Sequence, residues 1–420
     1  MACVWELGLR GNNMELKDQL REVKAASKEL ALLTEEKRNQ ILKNIACLLI
    51  ERKEEILTAN QKDIANAAEL SKAMIERLTL TYEKIEAMAK QVEIVVKQKD
   101  PLHRELESIQ RPNGLLIKKM SIPLGVMAII YESRPNVTID VACLCVKSGN
   151  ACVLKGGKEA HHTNQVLVAL IHDAMRGIID EHAVMLIDSS SLVLELIQSN
   201  GLVDVAVPRG GKGLIDFVVK NATVPVIETG AGICHQYVDK KADLNQAVKV
   251  AVNAKASRPS VCNAIETLLV HKEVAEPFLT ALKQAMEEVH VILKGDERVA
   301  RFIDVEPICT GDYATEYNEY ILNLKIVDSL EEAVAHIQHY STGHSETIMT
   351  QDESRAQYFI DHIDSACVYI NASTRFSDGG EFGFGLELGI STQKLHARGP
   401  LGLQQMTTYR YVIFGDGQIR

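Results

Sequence analysis

Residues 125–158 read GVMAIIYESRPNVTIDVACLCVKSGNACVLKGGK, and this stretch predicts two buried strands joined by a helix. The apolar runs 125–130 and 151–155 have the length of strands, and the apolar stretch 141–146 lies in the helical interval between them. Intervals of about 20 to 30 residues between such strands require crossover connections, which make neighbouring strands parallel. The stretch therefore predicts a parallel sheet that is covered by helices on both faces.

The same alternation extends in both directions from this unit. Short apolar runs predict further strands at 183–187, 203–207 and 224–227, with helices in most of the intervals. Upstream, residues 15–93 show repeated amphipathic helices and almost no Gly or Pro. A second section, residues 231–371, has an alternation of its own. Its predicted elements are 266–270, 277–289, 326–327, 330–338, 347–349 and 367–370.

Size and composition indicate a large soluble globular protein. The chain has 420 residues, of which 46% are apolar and 24% charged, so two or three domains are expected. A net charge of -10 argues against a general nucleic-acid-binding protein, because phosphate contacts need an excess of Lys and Arg. Residues 1–13 lack the features of a signal peptide and are interpreted as an upstream extension, and no apolar run is long enough to span a bilayer.

The cysteine and histidine patterns indicate neither disulfides nor a metal site. The nine cysteines are odd in number and show no repeated CxxC spacing, which fits a reducing cytoplasm. Cys143, Cys145 and Cys152 lie in apolar stretches and are expected in the core. The histidine pairs 161–162 and 336–339 have no carboxylates at metal-ligand spacing, and both are interpreted as helix surface.

A hairpin and the chain terminus predict a small β arm. Residues 111–120 have the turn Pro112, Asn113, Gly114 followed by an apolar strand. Residues 407–414 are rich in Thr, Tyr, Val and Ile and predict a last strand. With the hairpin, this strand is expected to complete a sheet on another subunit. Pairing within its own chain is the alternative.

Polar and glycine-rich segments follow three of the predicted parallel strands. They are residues 131–136 (YESRPN), 155–158 (KGGK) and 208–213 (PRGGKG). Ligands of open parallel sheets bind beyond the carboxyl ends of the strands. The last two segments combine glycine, a cation and a helix start, which is the chemistry that lets a backbone approach phosphate closely. Neither is a Walker loop or a GxGxxG fingerprint, so they favour a nucleotide site without assigning a standard one.

Cys262 is the candidate nucleophile. It lies in residues 257–263 (SRPSVCN), among small and polar neighbours, between a predicted helix at 244–256 and a buried strand at 264–270. Connections of this kind are where reactive groups are usually presented. A lone cysteine is more often an inert core residue, so the surrounding polar and glycine segments carry the interpretation.

Several segments together resemble one family, the gamma-glutamyl phosphate reductases, also called glutamate-5-semialdehyde dehydrogenases, of the aldehyde dehydrogenase superfamily. The resemblance spans about residues 14–420. It is specific in 122–138 (IPLGVMAIIYESRPNVT), 149–159 (GNACVLKGGKE), 208–213 (PRGGKG), 258–269 (RPSVCNAIETLL), 371–376 (NASTRF) and 391–402 (STQKLHARGPLG). It implies an α/β aldehyde dehydrogenase-like fold with two α/β domains of mostly parallel sheets and a small β oligomerisation arm. The implied domains are a cofactor-binding domain at 14–230, a catalytic domain at 231–390 and an arm at 398–420 to which 110–121 contribute.

The resemblance also implies roles for individual residues. Cys262 matches the nucleophile, and Asn136 matches the asparagine whose amide stabilises the oxyanion together with the cysteine N–H. Substrate-binding cations are expected among the arginines nearest to these positions, Arg134, Arg258 and Arg375. The implied cofactor-binding residues are Lys155, Lys158, Arg209, Gly210, Gly211 and Glu316, the last from the similarity of 316–322 (EYNEYIL) to the superfamily's E-x-F-G-P-V-L segment.

The implied reaction is the NADPH-dependent reduction of L-glutamyl 5-phosphate to glutamate 5-semialdehyde through a cysteine thioester, in proline biosynthesis. The thiolate expels phosphate, and hydride then reduces the thioester. No metal is required, because an acyl phosphate is already activated. The implied partners are the substrate and further copies of the chain. Glutamate 5-kinase is a further candidate partner, although no residue of this chain indicates that it binds.

Two other functions remain open at this level. Glu228 precedes Cys262 by the spacing at which hydrolytic, NAD-dependent aldehyde dehydrogenases place the glutamate that activates water. A capping or structural carboxylate beside Gly230 and Gly232 is the favoured interpretation of Glu228. A noncatalytic binding protein on the same scaffold is the second alternative, and it requires an unreactive Cys262.

Overall fold

A computed structural model describes residues 15–67, 70, 72–132, 134–309 and 311–420. The predicted extension at residues 1–13 lies outside these residues. Within the described part of the chain, no helix combines the length and the apolar character needed to cross a membrane.

The described chain opens with amphipathic helices, as the apolar spacing predicts. Thr34 and Thr81 cap the second and the last of them, each accepting a backbone N–H three residues ahead. The helices are α1 (Leu16–Leu30), α2 (Glu35–Glu51), α3 (Lys53–Ala65), α4 (Lys72–Leu78) and α5 (Tyr82–Lys97).

The predicted hairpin follows α5 and consists of β1 (Glu105–Gln110) and β2 (Leu116–Pro123). Its turn is closed by Arg111 N–H donating to Leu115 O at 2.8 Å. Gly114 has a φ of 89°, which a residue with a side chain rarely adopts. The turn is thus where the sequence predicts it, and the first strand lies before the predicted range.

The first parallel sheet contains the unit from which the fold class is predicted. Its order is β5-β4-β3-β6, with all three pairs parallel. Its strands are β3 (Val126–Tyr131), β4 (Ala151–Lys155), β5 (Val184–Leu186) and β6 (Val205–Arg209), and its helices are α6 (Pro135–Lys147), α7 (His161–Met175), α8 (Val193–Ile197) and α9 (Lys212–Asn221).

The strand predicted at 224–227 is wrong. The segment makes one isolated parallel bridge, between Ala206 and Val226. Pro225 O accepts the Ala206 N–H and Ile227 N–H donates to Ala206 O, but Pro225 has no N–H with which to extend the ladder.

The second sheet is entirely parallel and has the order β10-β9-β11-β8-β7-β12-β13. Its strands are β7 (Cys234–Val238), β8 (Ile265–His271), β9 (Ile292–Gly295), β10 (Glu306–Pro307), β11 (Ile321–Val327), β12 (Ser345–Met349) and β13 (Cys367–Ile370). The helices of this section are α10 (Leu244–Ala256), α11 (Ala275–Glu288), α12 (Leu330–Tyr340) and α13 (Glu353–His362).

Each sheet has its own apolar core. One cluster unites the opening helices with the first sheet, and it also receives Leu388, Leu401 and Met406 after the chain has left the second sheet. Two further clusters lie against the second sheet. His336 is only 5% exposed, so its interpretation as helix surface is wrong. It follows Ala333 by one helical turn on the buried face of α12, where its ring contacts Tyr313.

Two short strands and the terminal strand complete the chain: β14 (Ile390–Ser391), β15 (Gly399–Pro400) and β16 (Thr407–Phe414). β16 pairs antiparallel with β2 along its whole length, so the last strand finds its partner within its own chain. The resulting three-stranded sheet has the order β1-β2-β16. The two parallel sheets and this small antiparallel sheet together confirm the predicted fold class.

Candidate functional site

The predicted phosphate-approaching segments lie at one edge of the first sheet, because all its strands are parallel. Chain order runs outward from β3 through β4 to β5 and then returns to β6 on the other side of β3. Ligands of open sheets bind at such a reversal. Tyr131 and Arg209, at the ends of β3 and β6, are register partners, and Glu132 N–H donates to Arg209 O at 3.1 Å.

Cys262 lies in the turn between α10 and β8, where the sequence places it. Its carbonyl oxygen accepts a hydrogen bond from Cys234 Sγ at 3.2 Å. A Cβ on Gly232 would lie 1.4 Å from the same oxygen, so the backbone at 232 can approach only as glycine. Two neighbours on the β7 side thus fix the position of this backbone.

Asn263 and Arg375 brace the other side of the Cys262 turn. Asn263 Nδ2 donates to Ser377 O at 2.9 Å, and the Arg375 guanidinium donates to Asn263 Oδ1 and, at 3.1 Å, to Ser257 Oγ. Thr374 Oγ1 donates to Asn263 O at 2.6 Å. Arg375, predicted as a substrate cation, therefore also holds both flanks of the nucleophile's turn.

The surroundings of the half-buried Cys262 thiol favour its protonated form. Burial, followed by the carboxylates of Glu387 and Glu316, raises its pKa to about 12, and the charge of Arg209 acts in the opposite direction. Burial, reinforced by Asp378, also raises the pKa of Glu387, whose Oε2 accepts the Gly379 N–H at 2.7 Å. The thiol therefore faces a carboxylate that can hold a proton. Sequence reasoning missed Glu387, although the glycine-dense stretch around it was visible.

Several arginines act on one another at this edge of the sheet, and one of them, Arg209, also acts on the thiol. The pKa of Arg134 is lowered by burial and then by the charges of Arg77, Arg209 and Arg258, with Glu132 acting in the opposite direction. Like charges assemble in this way where an anion is to be held. Arg77 was not predicted, because nothing in α4 indicates that the helix reaches this edge of the sheet.

Asn136 stands in the first turn of α6, and its amide is oriented by a neighbour. Its Nδ2 donates to Asp140 Oδ2 at 2.9 Å, one helical turn on. Burial raises the pKa of Asp140 to about 6, an increase that already includes the lowering effects of the hydrogen bond from Asn136 and the charge of Arg209. Arg209 thus faces both Asp140 and Cys262. Asp140 is a second residue that sequence reasoning missed, despite its visible i, i+4 spacing.

The glycine turn at the end of β6 is engaged by a side chain. Gly211 N–H donates to Glu132 Oε1 at 2.6 Å, and a Cβ on Gly210 would lie 2.7 Å from the same side chain. The role of Gly210 and Gly211 beside a cofactor stays a prediction.

The predicted cofactor lysines both lie at the end of β4, where Lys155 is the last residue of the strand and Lys158 begins the short 3₁₀ turn that follows. Lys155 is 4% exposed, and its Nζ donates to Gly156 O at 2.5 Å, whereas Lys158 is exposed. Burial lowers the pKa of Lys155, and Asp188 and Glu159 oppose this effect. A cavity here is lined by Gly156, Gly157, Lys158, His161, Asn164, Leu186, Ile187 and Asp188.

This cavity has the donor set that a nucleotide requires. A Cβ on Gly156 would lie 2.3 Å from Asn164 Nδ2, so no larger residue fits at this position. One lysine, a histidine and a carboxylate line the cavity beside the backbone of two glycines, and these are groups that can contact a ribose and its phosphate.

Glu316 and Glu228 differ in their relation to the thiol. Glu316 Oε1 accepts the Gly232 N–H at 2.8 Å, which holds its carboxylate against the Cys262 turn. Glu228 N–H donates to Gln393 Oε1 at 2.8 Å. The carboxylates that act most strongly on Cys262 are Glu387 and Glu316. Within the described residues, no group of three or more His, Cys, Asp or Glu side chains is arranged to hold a metal ion.

Comparison with known proteins agrees with this architecture. The aldehyde dehydrogenase family matches residues 9–326. An acetylating aldehyde dehydrogenase from Geobacillus thermoglucosidasius shares the fold, with a TM-score of 0.67 at 18% identity over 96% of this chain and 97% of that chain. The chain belongs to the aldehyde dehydrogenase family.

Within that family, relatives of about 50% identity are gamma-glutamyl phosphate reductases. A gamma-glutamyl phosphate reductase of Carboxydothermus hydrogenoformans is 52% identical over 97% of this chain and 99% of its own length, and one of Streptococcus suis is 50% identical over 93% and 95%. The crystal structure of the gamma-glutamyl phosphate reductase of Thermotoga maritima has a TM-score of 0.95 at 44% identity, covering 97% of this chain and 100% of that chain. The resemblance to the gamma-glutamyl phosphate reductases is thereby confirmed.

Proposed function

We propose that this enzyme reduces L-glutamyl 5-phosphate to L-glutamate 5-semialdehyde, with NADPH as reductant and release of inorganic phosphate, in proline biosynthesis. The observation that carries the proposal is the setting of Cys262, a thiol in a braced turn on which the charges of Glu387 and Arg209 act in opposite directions. The names of the similar reductases support the choice of substrate.

The first step uses Cys262 and Glu387. Glu387 takes the thiol proton, the sulfur forms a bond to the acyl carbon, and the bond from that carbon to the phosphate oxygen breaks. Phosphate leaves with the electron pair of the broken bond. Arg134, Arg209 and Arg258 supply the positive charge that binds the phosphate before and during its departure.

Asn136 supports the same step through the acyl oxygen. Its amide and the Cys262 N–H are the donors for the oxyanion, and one such donor contributes about 3 to 4 kcal/mol of transition-state stabilisation. Asp140 holds the amide in place by the 2.9 Å hydrogen bond.

The second step is a reduction at the thioester carbon. NADPH, when bound, supplies the hydride. Lys155 and Lys158 would hold its adenosine end, Glu316 would contact the nicotinamide ribose, and the glycine turn at 210–211 would border it. The carbon–sulfur bond then breaks, and Glu387 returns the proton to Cys262.

We also infer a cytoplasmic homo-oligomer in which the three-stranded sheet is the contact arm. The sheet presents apolar side chains to solvent, among them Tyr411, Ile413 and Phe414, each more than half exposed. Exposed apolar strands at a sheet edge are typical of contact surfaces. The domain limits 14–230, 231–390 and 398–420 and docking of glutamate 5-kinase remain predictions.

The decisive experiment runs the reaction backward. NADP⁺ reduction by glutamate 5-semialdehyde is followed with and without phosphate, in the unmodified enzyme, in Cys262→Ala and in Cys309→Ala, which alters an exposed cysteine away from the site. We expect activity that requires both phosphate and Cys262 and that survives Cys309→Ala.

The other outcomes separate the alternatives. Activity without phosphate indicates a hydrolytic aldehyde dehydrogenase, and Glu228→Gln then shows whether Glu228 activates water. A folded enzyme with no activity and a thiol that resists alkylation favours a binding protein.

A further inference from the structure

A buried ion pair closes the base of the turn that carries Cys262, and no step of the reaction uses it. Lys255 Nζ donates to Glu266 Oε2 at 2.7 Å, and the two side chains are 0% and 1% exposed. Lys255 is the next to last residue of α10 and Glu266 the second residue of β8, so the pair joins the two elements that flank the turn. Two charges lose their hydration in such a pair, so a position that it fixes explains it better than the stability it contributes.

The second oxygen of Glu266 contacts a different segment, the loop of residues 315–320, which we call the Glu316 loop. Glu266 Oε1 accepts the Asn318 N–H at 3.4 Å, two residues after Glu316. Asn318 has a φ of 58°, a conformation for which Asn is one of the few suitable residues. One carboxylate therefore contacts the end of α10 through one oxygen and the Glu316 loop through the other.

The Glu316 loop is also tied to the nucleophile by a separate contact. Glu316 Oε1 accepts the Gly232 N–H at 2.8 Å, and the position of a Cβ on Gly232 lies 1.4 Å from the Cys262 carbonyl oxygen. Burial raises the pKa of Glu266 and lowers that of Lys255, and the charge of Glu316 is among the smaller influences on both. The ion pair, the Glu316 loop and the Cys262 turn thus form one connected group.

We propose that Glu266 is a positioning residue that holds the Glu316 loop for the nicotinamide half of the cofactor, while Lys255 fixes the Glu266 carboxylate. The inference rests on the proposed use of NADPH and of Glu316 as a contact to the nicotinamide ribose. Reacting atoms must approach to about 3 to 3.5 Å, so a cofactor contact and a nucleophile gain from a common support. Glu266 supplies that support, because the same side chain contacts the Glu316 loop and the helix that leads into the Cys262 turn.

The test compares two double variants that both remove the buried charges. Lys255→Met/Glu266→Gln keeps a side-chain oxygen that can accept the Asn318 N–H. Lys255→Met/Glu266→Met keeps the length of the side chain but has no such oxygen. Removal of both members of a buried ion pair is tolerated better than removal of one, because no charge is left unpaired. Urea unfolding should therefore show that both variants are folded, and a difference between them reports on the acceptor.

Two ligands separate the nicotinamide half of the site from the adenosine half. NADPH and adenosine 2′,5′-bisphosphate, which lacks the nicotinamide half, are titrated calorimetrically into the unmodified protein and both variants. We expect the Glu266→Met double variant to bind NADPH about fivefold more weakly than the Glu266→Gln double variant, the effect of one neutral hydrogen bond. The bisphosphate should bind all these proteins with the same affinity.

Hydrogen exchange at the Asn318 amide is a second readout that needs no variant. We expect slow exchange in the unmodified protein and in the Glu266→Gln double variant, and faster exchange in the Glu266→Met double variant. An unprotected Asn318 amide in the unmodified protein overturns the inference even if a variant does not fold.

The remaining outcomes distinguish this inference from the proposed function. Equal NADPH affinities in the two variants overturn the inference and leave the proposed reaction standing. Loss of both ligands in the Glu266→Met double variant indicates a general structural role for the pair and also overturns it. If the unmodified protein binds neither ligand, the proposed cofactor site is wrong and the inference fails with it.

Discussion

The reactivity of Cys262 should be limited by the charge of Glu387. In the free enzyme, burial and two carboxylates hold the pKa of the thiol near 12, so little thiolate exists at neutral pH. Alkylation by neutral iodoacetamide should therefore rise about tenfold for each pH step from 6 to 9, without a plateau, because the thiolate is the reactive form. Glu387→Gln removes one of the opposing charges.

The size of the effect follows from the charge pair. Two like charges about 5 Å apart in a partly hydrated site repel by about 1 to 2 kcal/mol. Removal of the Glu387 charge should therefore raise the thiolate fraction about tenfold. A thiolate of lower pKa is a weaker nucleophile, with a Brønsted coefficient of about 0.5, which reduces the gain in rate to about threefold. Arg209→Gln should slow alkylation by a similar factor, since Arg209 opposes the carboxylates.

The assay is stopped-flow or mass-spectrometric alkylation of the free enzyme, with Glu228→Gln as the control. Glu228 is not among the charges that act most on the thiol, so its substitution should leave the rate within about twofold of the unmodified enzyme. A plateau between pH 6 and 8, or an acceleration by Glu228→Gln that matches that by Glu387→Gln, would refute the assignment of Glu387. Protection of the thiol by NADPH would locate the cofactor beside it.

Four further outcomes follow from particular contacts. Gly232→Ala should lower kcat/KM more than about 100-fold, because the added Cβ overlaps the Cys262 carbonyl. Thermal unfolding of the variant shows whether the protein is still folded when the activity is lost. Asp140→Ala should lower kcat about tenfold with little change in KM, because it releases the Asn136 amide. Asp140→Asn should retain most of the kcat of the unmodified enzyme. Lys255→Met should lower the free energy of unfolding, measured in urea, by about 3 to 5 kcal/mol, because it removes the partner of the buried Glu266 carboxylate. Deletion of residues 407–420 should convert the oligomer to a monomer slightly below the 46.4 kDa of one full chain in light scattering, and a mass that still corresponds to the oligomer would exclude the arm.

The local elements of this protein are largely predictable from its sequence. The strand at β4, the terminal strand β16 and the helix α10 have the predicted bounds, because apolar spacing records which face of a short segment is buried. The segment 224–227 shows the limit of that signal. Four apolar or proline residues predict a strand, yet Pro225 cannot donate to a ladder and one bridge is all that forms.

The candidate site is predictable only where one short segment contains its signal. The Cys262 turn was predicted from local sequence, and Asn136 was predicted from the family resemblance of the segment that contains it. Glu387 and Arg77 were not, because their importance comes from charges brought near them by distant elements. Electrostatic neighbours of this kind leave no periodicity in the chain.

The sequence by itself determined the βαβ repeats, the position of the thiol between a helix and a strand, and the family, because each depends on short runs of residues. Only the tertiary structure decided that Arg209 faces the thiol, that Lys155 turns inward to Gly156, and that β16 pairs with β2. These contacts join segments far apart in the chain. They depend on how the sheets and helices pack, and packing is a property of the whole fold.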